Sequence, residues 1–222
     1  MSDSPWIQPG TVEGFVRSSP NSALLQVAAR EFRPSARLLD IGCGAGRNAL
    51  PLATAGWEVI GTDSSRPMLS AAAGRIADVH LAARVRLLLA PMHQLPLAAD
   101  SFDFIVAHGI WNLARSGSEF RMAVKEAARV ARTGCALFLF TFSRRTIADA
   151  AQPLPGESFV FTEFSGQPQC FLTQEQIVRE LATHDFHPDP SLPLRELNRP
   201  TKASLCTGSG PAIYEGLFRH TR

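Results

Sequence analysis

Two carboxylates and three glycines stand at spacings that can hold a ligand: Asp40, then Gly42, Gly44 and Gly46, then Asp63. Three glycines in five residues let the backbone turn sharply, take positive φ and press against a ligand with no Cβ in the way. Asp40 lies one step inside the apolar run Leu38-Leu39-Asp40-Ile41, where a carboxylate suits a cationic amine better than a diphosphate. Asp63 ends a second run, Trp57 to Thr62, and is placed to accept hydrogen bonds from two vicinal ribose hydroxyls. Strand, glycine turn, helix and strand make half of a nucleotide-binding βαβ unit. The dinucleotide fingerprint G-x-G-x-x-G wants its third glycine where Arg47 stands, one residue after Gly46.

A ligand with an adenosine end and an amino-acid end satisfies both acids, and S-adenosylmethionine is such a ligand. The stretches LLDIGCGAG (38–46) and VIGTDSS (59–65) resemble the first motif and the following acidic strand end of class I S-adenosylmethionine-dependent methyltransferases of the small-molecule type. SFDFIVAHGIWNL (101–113) resembles their fourth strand. The likeness is good over residues 20–145 and holds in outline beyond.

The resemblance implies an α/β, Rossmann-like, doubly wound fold: a mostly parallel seven-stranded sheet with an antiparallel edge strand. It implies one domain, with residues 1–33 as an N-terminal cap, 34–145 as the cofactor-binding half and 146–222 as a substrate-side loop, helix and closing strands. In similar methyltransferases a leader like residues 1–19 folds over the cofactor cleft; otherwise Trp6, Ile7, Phe15 and Val16 anchor a tethered tail. The cofactor implied is S-adenosyl-L-methionine. Its expected contacts are Asp40, the turn residues Gly42, Cys43, Gly44 and Gly46, then Asp63, Ser64 and Met68. Family members with a Leu-Pro pair like Leu95-Pro96 often carry an Asp four residues earlier, on the adenine amine. Here that position is Pro91, which leaves groups near Met92 or His93 as substitutes.

Methyl transfer from a sulfonium is an in-line displacement at an activated carbon, so orientation alone can supply ~7–11 kcal/mol. A general base adds ~10²–10⁴-fold and is needed when the nucleophile is protonated. His108 and His93 are the candidates, each also a candidate cofactor contact. Ligands of open α/β sheets bind beyond the carboxyl ends of strands, which points to Trp111 and Asn112 for substrate. Arg144 or Arg145 could pair with an anionic substrate group, and Gln169 and Cys170 lie in a long loop suited to specificity.

By elimination, the acceptor expected is a small molecule with an O, N or S nucleophile, or a metalloid. No D/N-P-P-Y/F tetrapeptide, Pro-Cys dipeptide or basic aromatic stripe points to nucleic acid. GRNALPLA (46–53) is also similar to tellurite-resistance methyltransferases, and the Leu-Pro segment to quinone-biosynthesis ones, so metalloid, thiol, amine and phenol stay open. Cys170 and Cys206 could bind a soft metalloid or be buried thiols. Two readings of other classes are a non-catalytic S-adenosylmethionine sensor and a nicotinamide oxidoreductase; the early third glycine argues against the second.

These residues need elements to position them. Leu24, Leu25, Ala28 and Ala29 recur at helical spacing in residues 21–32. Residues 47–55 should be helical despite Pro51, so the helix starts late or bends. Ser64-Ser65 can cap a helix carrying Met68 and Ile76. Strands are expected at 85–89, 102–107 and 136–142. Ser116 with Glu119 reads as a capping box, opening a helix that Gly134 stops. Thr173 with Gln176 makes another, with Leu172 and Ile177 as its staple, and that helix runs to about His184. Residues 192–197 and 212–219 read as closing strands.

At 222 residues, 45% hydrophobic and 19% charged, the chain suits one α/β domain, and its net charge of +2 gives no field for nucleic acid. Four scattered cysteines, Cys43, Cys135, Cys170 and Cys206, offer no C-x-x-C pair, so neither metal nor disulfide is expected. The N-terminus has no basic or apolar signal region, and no run is long enough to span a bilayer, which leads to a cytoplasmic monomer or homodimer.

Overall fold

The computed structural model describes residues 5–198 and 210–222. Five apolar runs form β1 (Arg37–Ile41), β2 (Glu58–Asp63), β3 (Val85–Leu89), β4 (Phe102–His108) and β5 (Ala131–Phe142). A small ribbon, β6 (Val160–Phe161) with β7 (Gln169–Cys170), stands apart. β8 (Phe186–Pro188), β9 (Arg195–Leu197) and β10 (Ile213–His220) rejoin the main sheet. Its order is β3-β2-β1-β4-β5-β10-β8, with β9 also on β10. The first five strands pair parallel, and β10 runs antiparallel to β5, β8 and β9. Seven strands thus lie on one path, as expected, and β9 adds a short eighth.

The sheet is covered on both faces, which is why its central strands are almost wholly apolar. Side chains alternate along a strand. Leu39, Ile41, Ile105 and Leu137 pack with α5 (Gly117–Val130) and α6 (Gln174–Ala182). Leu38, Val59, Phe104 and Phe138 pack with α2 (Ser22–Glu31) and α3 (Ala49–Thr54). α1 (Pro9–Arg17) buries none of its residues, and α4 (Arg66–Asp78) follows the Asp63 end of β2. Successive strands run outward from β1 to β3, and β4 then returns to the other side of β1. Open α/β sheets bind ligands at this reversal, beyond the carboxyl ends of β1 and β4.

Local chemistry fixes the element ends. Asn21 caps α2 by accepting from Leu24 N at 2.9 Å, and Ser65 caps α4 by accepting from Met68 N at 3.3 Å. α3 starts late, so Pro51 is its third residue, where a helix leaves the backbone N–H without an internal partner. Thr173 and Gln176 complete both arms of the capping box on α6, with Leu172 and Ile177 buried beside it. At α5 only one arm forms, because the Glu119 carboxylate takes Arg115 N instead of Ser116 N.

Two expectations need correction. α5 ends at Val130, before Gly134: Asp100 and Ser101 donate to the carbonyls of Arg129 and Val130, and the chain leaves extended. Gly134, at φ +81°, belongs to an irregularity where β5 slips register against β4. The strand expected at 192–197 shrinks to β9, since Pro193 has no N–H to give a ladder. Phe186–Pro188, too short for a pattern, was not anticipated as a strand.

Candidate functional site

The glycine turn is pinned to the end of β2. Gly42 N and Cys43 N both donate to Thr62 O, at 2.7 and 2.9 Å. Gly44 N donates to one Asp63 oxygen at 2.9 Å, and Ser65 N to the other at 2.8 Å. Burial raises the Asp63 carboxyl above its ordinary range, and these N–H bonds oppose that rise by favouring the ionised form. All three turn glycines take positive φ. A Cβ on Gly42 would lie 2.6 Å from Ile110 Cδ1, and one on Gly46 would lie 2.5 Å from Leu50 Cδ1.

A cavity of about 340 Å³ opens beyond this turn, in the size range of small-molecule sites. Gly42, Gly44, Asp63, Ser64 and Met68 line it, with Pro91, Met92 and His93 from the segment after β3 and His108 from β4. Trp6 and Phe15 cover it, their rings edge to face at 5.7 Å, and the Ser65 hydroxyl holds the Trp6 carbonyl at 2.7 Å. The leader therefore lies over the cleft. His93 Nδ1 stands 3.3 Å from a Glu119 oxygen at the cavity wall.

Asp40 is 1% exposed and lies behind the turn rather than in the cavity wall. Its Oδ2 has no hydrogen-bond partner among the described residues. Burial raises its carboxyl to about 7; Arg47 pulls it down, and Asp63 adds to the rise. A buried acceptor with no partner is costly; from behind the turn this carboxyl can act on a cationic ligand end only as a charge and not as the direct contact expected, while the Cβ-free cradle in front of it fits an S-adenosylmethionine-like ligand.

A second chamber, about 740 Å³, adjoins the first and shares Trp6, Phe15, His108, Gly109, Leu113 and Arg115 with it. Phe140, Phe142 and Phe164 line its walls, with Arg47, Asn112, Gln167 and Gln169 as polar groups. His108 stacks on Phe140 with ring centres 4.1 Å apart. Its Nδ1 lies 2.9 Å from an Arg47 guanidinium nitrogen and its Nε2 3.2 Å from Asn21 Nδ2. Burial and the Arg47 charge push the His108 imidazole down to about 3, so the ring is neutral.

Several expected site residues stand elsewhere. Trp111 is fully buried against Phe120, because the chain turns into a 3₁₀ segment after Gly109 and sends the indole inward. Arg144 is occupied: it donates to the carbonyls of Ala148, Asp149 and Ala151 and lies over the Phe161 ring. Arg145 faces Glu196 at 3.7 Å. Cys170 is fully buried, its thiol 3.4 Å from Ala114 O and pushed far up by burial. That leaves it unsuited to a soft metalloid, and Cys206 lies outside the described residues. The Cys43 thiol packs beneath the turn against Gly61, and only the backbone of Cys43 serves the loop. Gly46 faces Leu50 and Ala72, so it is needed for close helix packing. Sequence reasoning did not single out Arg47, Asn21 or Arg115, and the only signal was Arg47 standing in the place of a fingerprint glycine.

No group of three or more His, Cys, Asp or Glu that could hold a metal occurs among the described residues, nor any helix able to cross a membrane.

Residues 39–139 match the family model described as a methyltransferase domain. The ubiquinone/menaquinone biosynthesis C-methyltransferase of Geotalea daltonii is 31% identical over 117 residues, 51% of this chain and 48% of that protein. The chain spans about half the length of the curated relatives it matches. Among solved structures, an S-adenosylmethionine-dependent methyltransferase of Methanosarcina mazei has a TM-score of 0.71 at 20% identity, covering 88% of this chain and 97% of its own. The 1,6-didemethyltoxoflavin-N1-methyltransferase of Burkholderia thailandensis, with S-adenosylhomocysteine and 1,6-didemethyltoxoflavin bound, has a TM-score of 0.69 at 17% identity, covering 96% and 81%. At such identities the likeness is one of fold. With its glycine turn, its Asp63 strand end and the match over residues 39–139, the chain is similar in sequence to methyltransferase domains and in fold to S-adenosylmethionine-dependent methyltransferases.

Proposed function

We propose that this chain transfers the methyl group of S-adenosylmethionine to a small-molecule nucleophile. The observation that carries the reading is the pair of adjoining cavities: one ends on Asp63 and the glycine turn, the other is walled by aromatic rings, and they meet at His108 and Gly109. The cofactor, when bound, supplies an electrophilic methyl carbon. Everything else falls to the protein. Asp63 keeps lone pairs for the two ribose hydroxyls beyond the N–H bonds it already accepts. Asp40, once ionised, balances the cationic end through the turn. Met68 and Met92 offer apolar walls for the adenine, and the backbone around Met92 and His93 takes the place of the family's acid. Trp6 and Phe15 keep water from the reacting atoms, so holding the two partners in line supplies much of the barrier reduction.

The relatives leave the acceptor open. One is named for carbon methylation and another for nitrogen methylation, so a carbon nucleophile joins oxygen, nitrogen and sulfur as a possible attacking atom. Calorimetry with S-adenosylmethionine and S-adenosylhomocysteine tests the reading. Asp63→Ala should weaken both by at least about tenfold, the value of a lost hydrogen bond to a charged group. Unchanged affinity would refute the ribose contact.

A further inference from the structure

The aromatic chamber carries an electrostatic asymmetry that narrows the acceptor; this inference rests on the methyl-transfer reading. Its only charged wall residues among the described ones are Arg47 and Arg115, and no acid lines it. Glu215, the acid nearest this group through the hydrogen-bond network, is held by Asn21 Nδ2 at 2.7 Å and lies outside the wall. Asp40, which feels Arg47, lies behind the turn.

The hydrogen bonds show where an anion would sit. A guanidinium can only donate, so at 2.9 Å from Arg47 the His108 Nδ1 must accept, and Nε2 then carries the hydrogen. That N–H faces the Asn21 amide nitrogen at 3.2 Å, and the amide is also a donor there: its oxygen accepts from Leu24 N and its nitrogen donates to Glu215. Arg47 and Asn21 thus sit on different edges of the imidazole, and the bond to Nδ1 uses one of the five guanidinium N–H groups of Arg47, a residue of the chamber wall. Asn112 adds a buried acceptor to the wall, its Oδ1 without a partner among the described residues, which a second, donating group of the ligand would meet. Phe140, Phe142 and Phe164 give the chamber an aromatic lining against which a flat ring packs well.

We infer that the acceptor is a planar aromatic molecule presenting an ionised hydroxyl to Arg47, whose guanidinium His108 Nδ1 holds at the chamber wall. The transfer then balances without a base. The phenolate oxygen supplies an electron pair to the methyl carbon, the C–O bond forms as the C–S bond breaks, and the electrons of that bond stay on sulfur. No proton moves. His108 is then a positioning residue that, stacked on Phe140, holds the Arg47 guanidinium through Nδ1.

The test uses the full chain loaded with S-adenosylhomocysteine and three probes: 7-hydroxycoumarin, whose neutral and ionised forms absorb differently, 7-methoxycoumarin and the planar cation N-methylquinolinium. Bound 7-hydroxycoumarin should show the phenolate band at a lower pH than in free solution and bind at least about tenfold tighter than either control. Arg47→Met should remove that preference, and Arg115→Gln, at the exposed mouth, should weaken it. Circular dichroism checks that each variant is folded. Binding of the phenol in its neutral form, equal binding of the cation, or no binding of any probe would overturn the inference. Failure of S-adenosylhomocysteine itself to bind would instead sink the methyltransferase reading.

Discussion

Arg47 acts on two groups of opposite character, and this sets the pH behaviour of the site. Asp40, raised to about 7, keeps its proton in the folded state after the unfolded chain has released it. Its contribution to stability is complete below the ordinary carboxylate range and is lost as pH rises towards 7. His108, lowered to about 3, stays neutral in the folded state while the unfolded chain takes a proton. Its contribution is complete above about 6.5 and is lost as pH falls. Between about pH 4 and 6.5 the two oppose each other, so each single variant should tilt the curve its own way. Relative to wild type, Asp40→Asn should lose stability on acidification and His108→Gln should gain it, each by on the order of 1–3 kcal/mol in urea titrations at pH 4.5 and 6.5. Parallel curves for the two variants would overturn the pairing. At this scale the sequence was readable where backbone chemistry decides. The turn glycines, Asp63 and the Ser65 cap stand where their types placed them. It was opaque where direction decides. Trp111 and Asn112 are neighbours on one 3₁₀ turn, yet only Asn112 reaches the chamber. Arg144 looked free because nothing local in the sequence shows that the carbonyls after it curl back onto its guanidinium.

The turn between β1 and α3 shows that its glycines are not interchangeable. Gly42 has φ +70° and an Ile110 side chain where a Cβ would go; Gly46 has φ +76° and Leu50 there. Gly44 has φ +53°, and its nearest neighbour would be the Phe15 ring at 3.4 Å, which the leader can move. Gly42→Ala and Gly46→Ala should each cost about 2–4 kcal/mol, combining the left-handed backbone penalty with a steric clash. Gly44→Ala should cost about 1–2 kcal/mol and mainly loosen the leader, read as faster tryptophan-quenching access at Trp6. Equal losses at all three positions would mean that φ alone matters. Elements with a strong period or a complete cap were legible: α2, α4, α6 and β1 to β5 lie within a few residues of expectation. β6 to β8 were not, because two or three residues carry no period, and β9 came out shorter than the strand expected there. Gly134 misled for a related reason. A glycine after a helical stripe suggests a helix end, but carbonyls taken by the 100–101 segment had already ended α5 four residues earlier.

For the molecule as a whole, the leader and the sheet divide the labour. α1 buries nothing, yet Trp6 and Phe15 close both cavities, so deleting residues 1–17 should leave folding almost intact and open the site. We expect a melting temperature within about 4 °C of the full chain and S-adenosylhomocysteine release about tenfold faster in stopped flow. Unchanged release would show that the leader is a bystander. The sheet order bears on how the protein is made. β10 lies between β5 and β8, so residues 213–220 must arrive before the 186–188 segment has a partner. On the ribosome, β5 would wait with one flank unzipped while some seventy further residues are synthesised, a bare template for neighbouring nascent chains. Yield in the cell should therefore depend on how quickly translation passes that stretch and on chaperones able to shield the waiting strand.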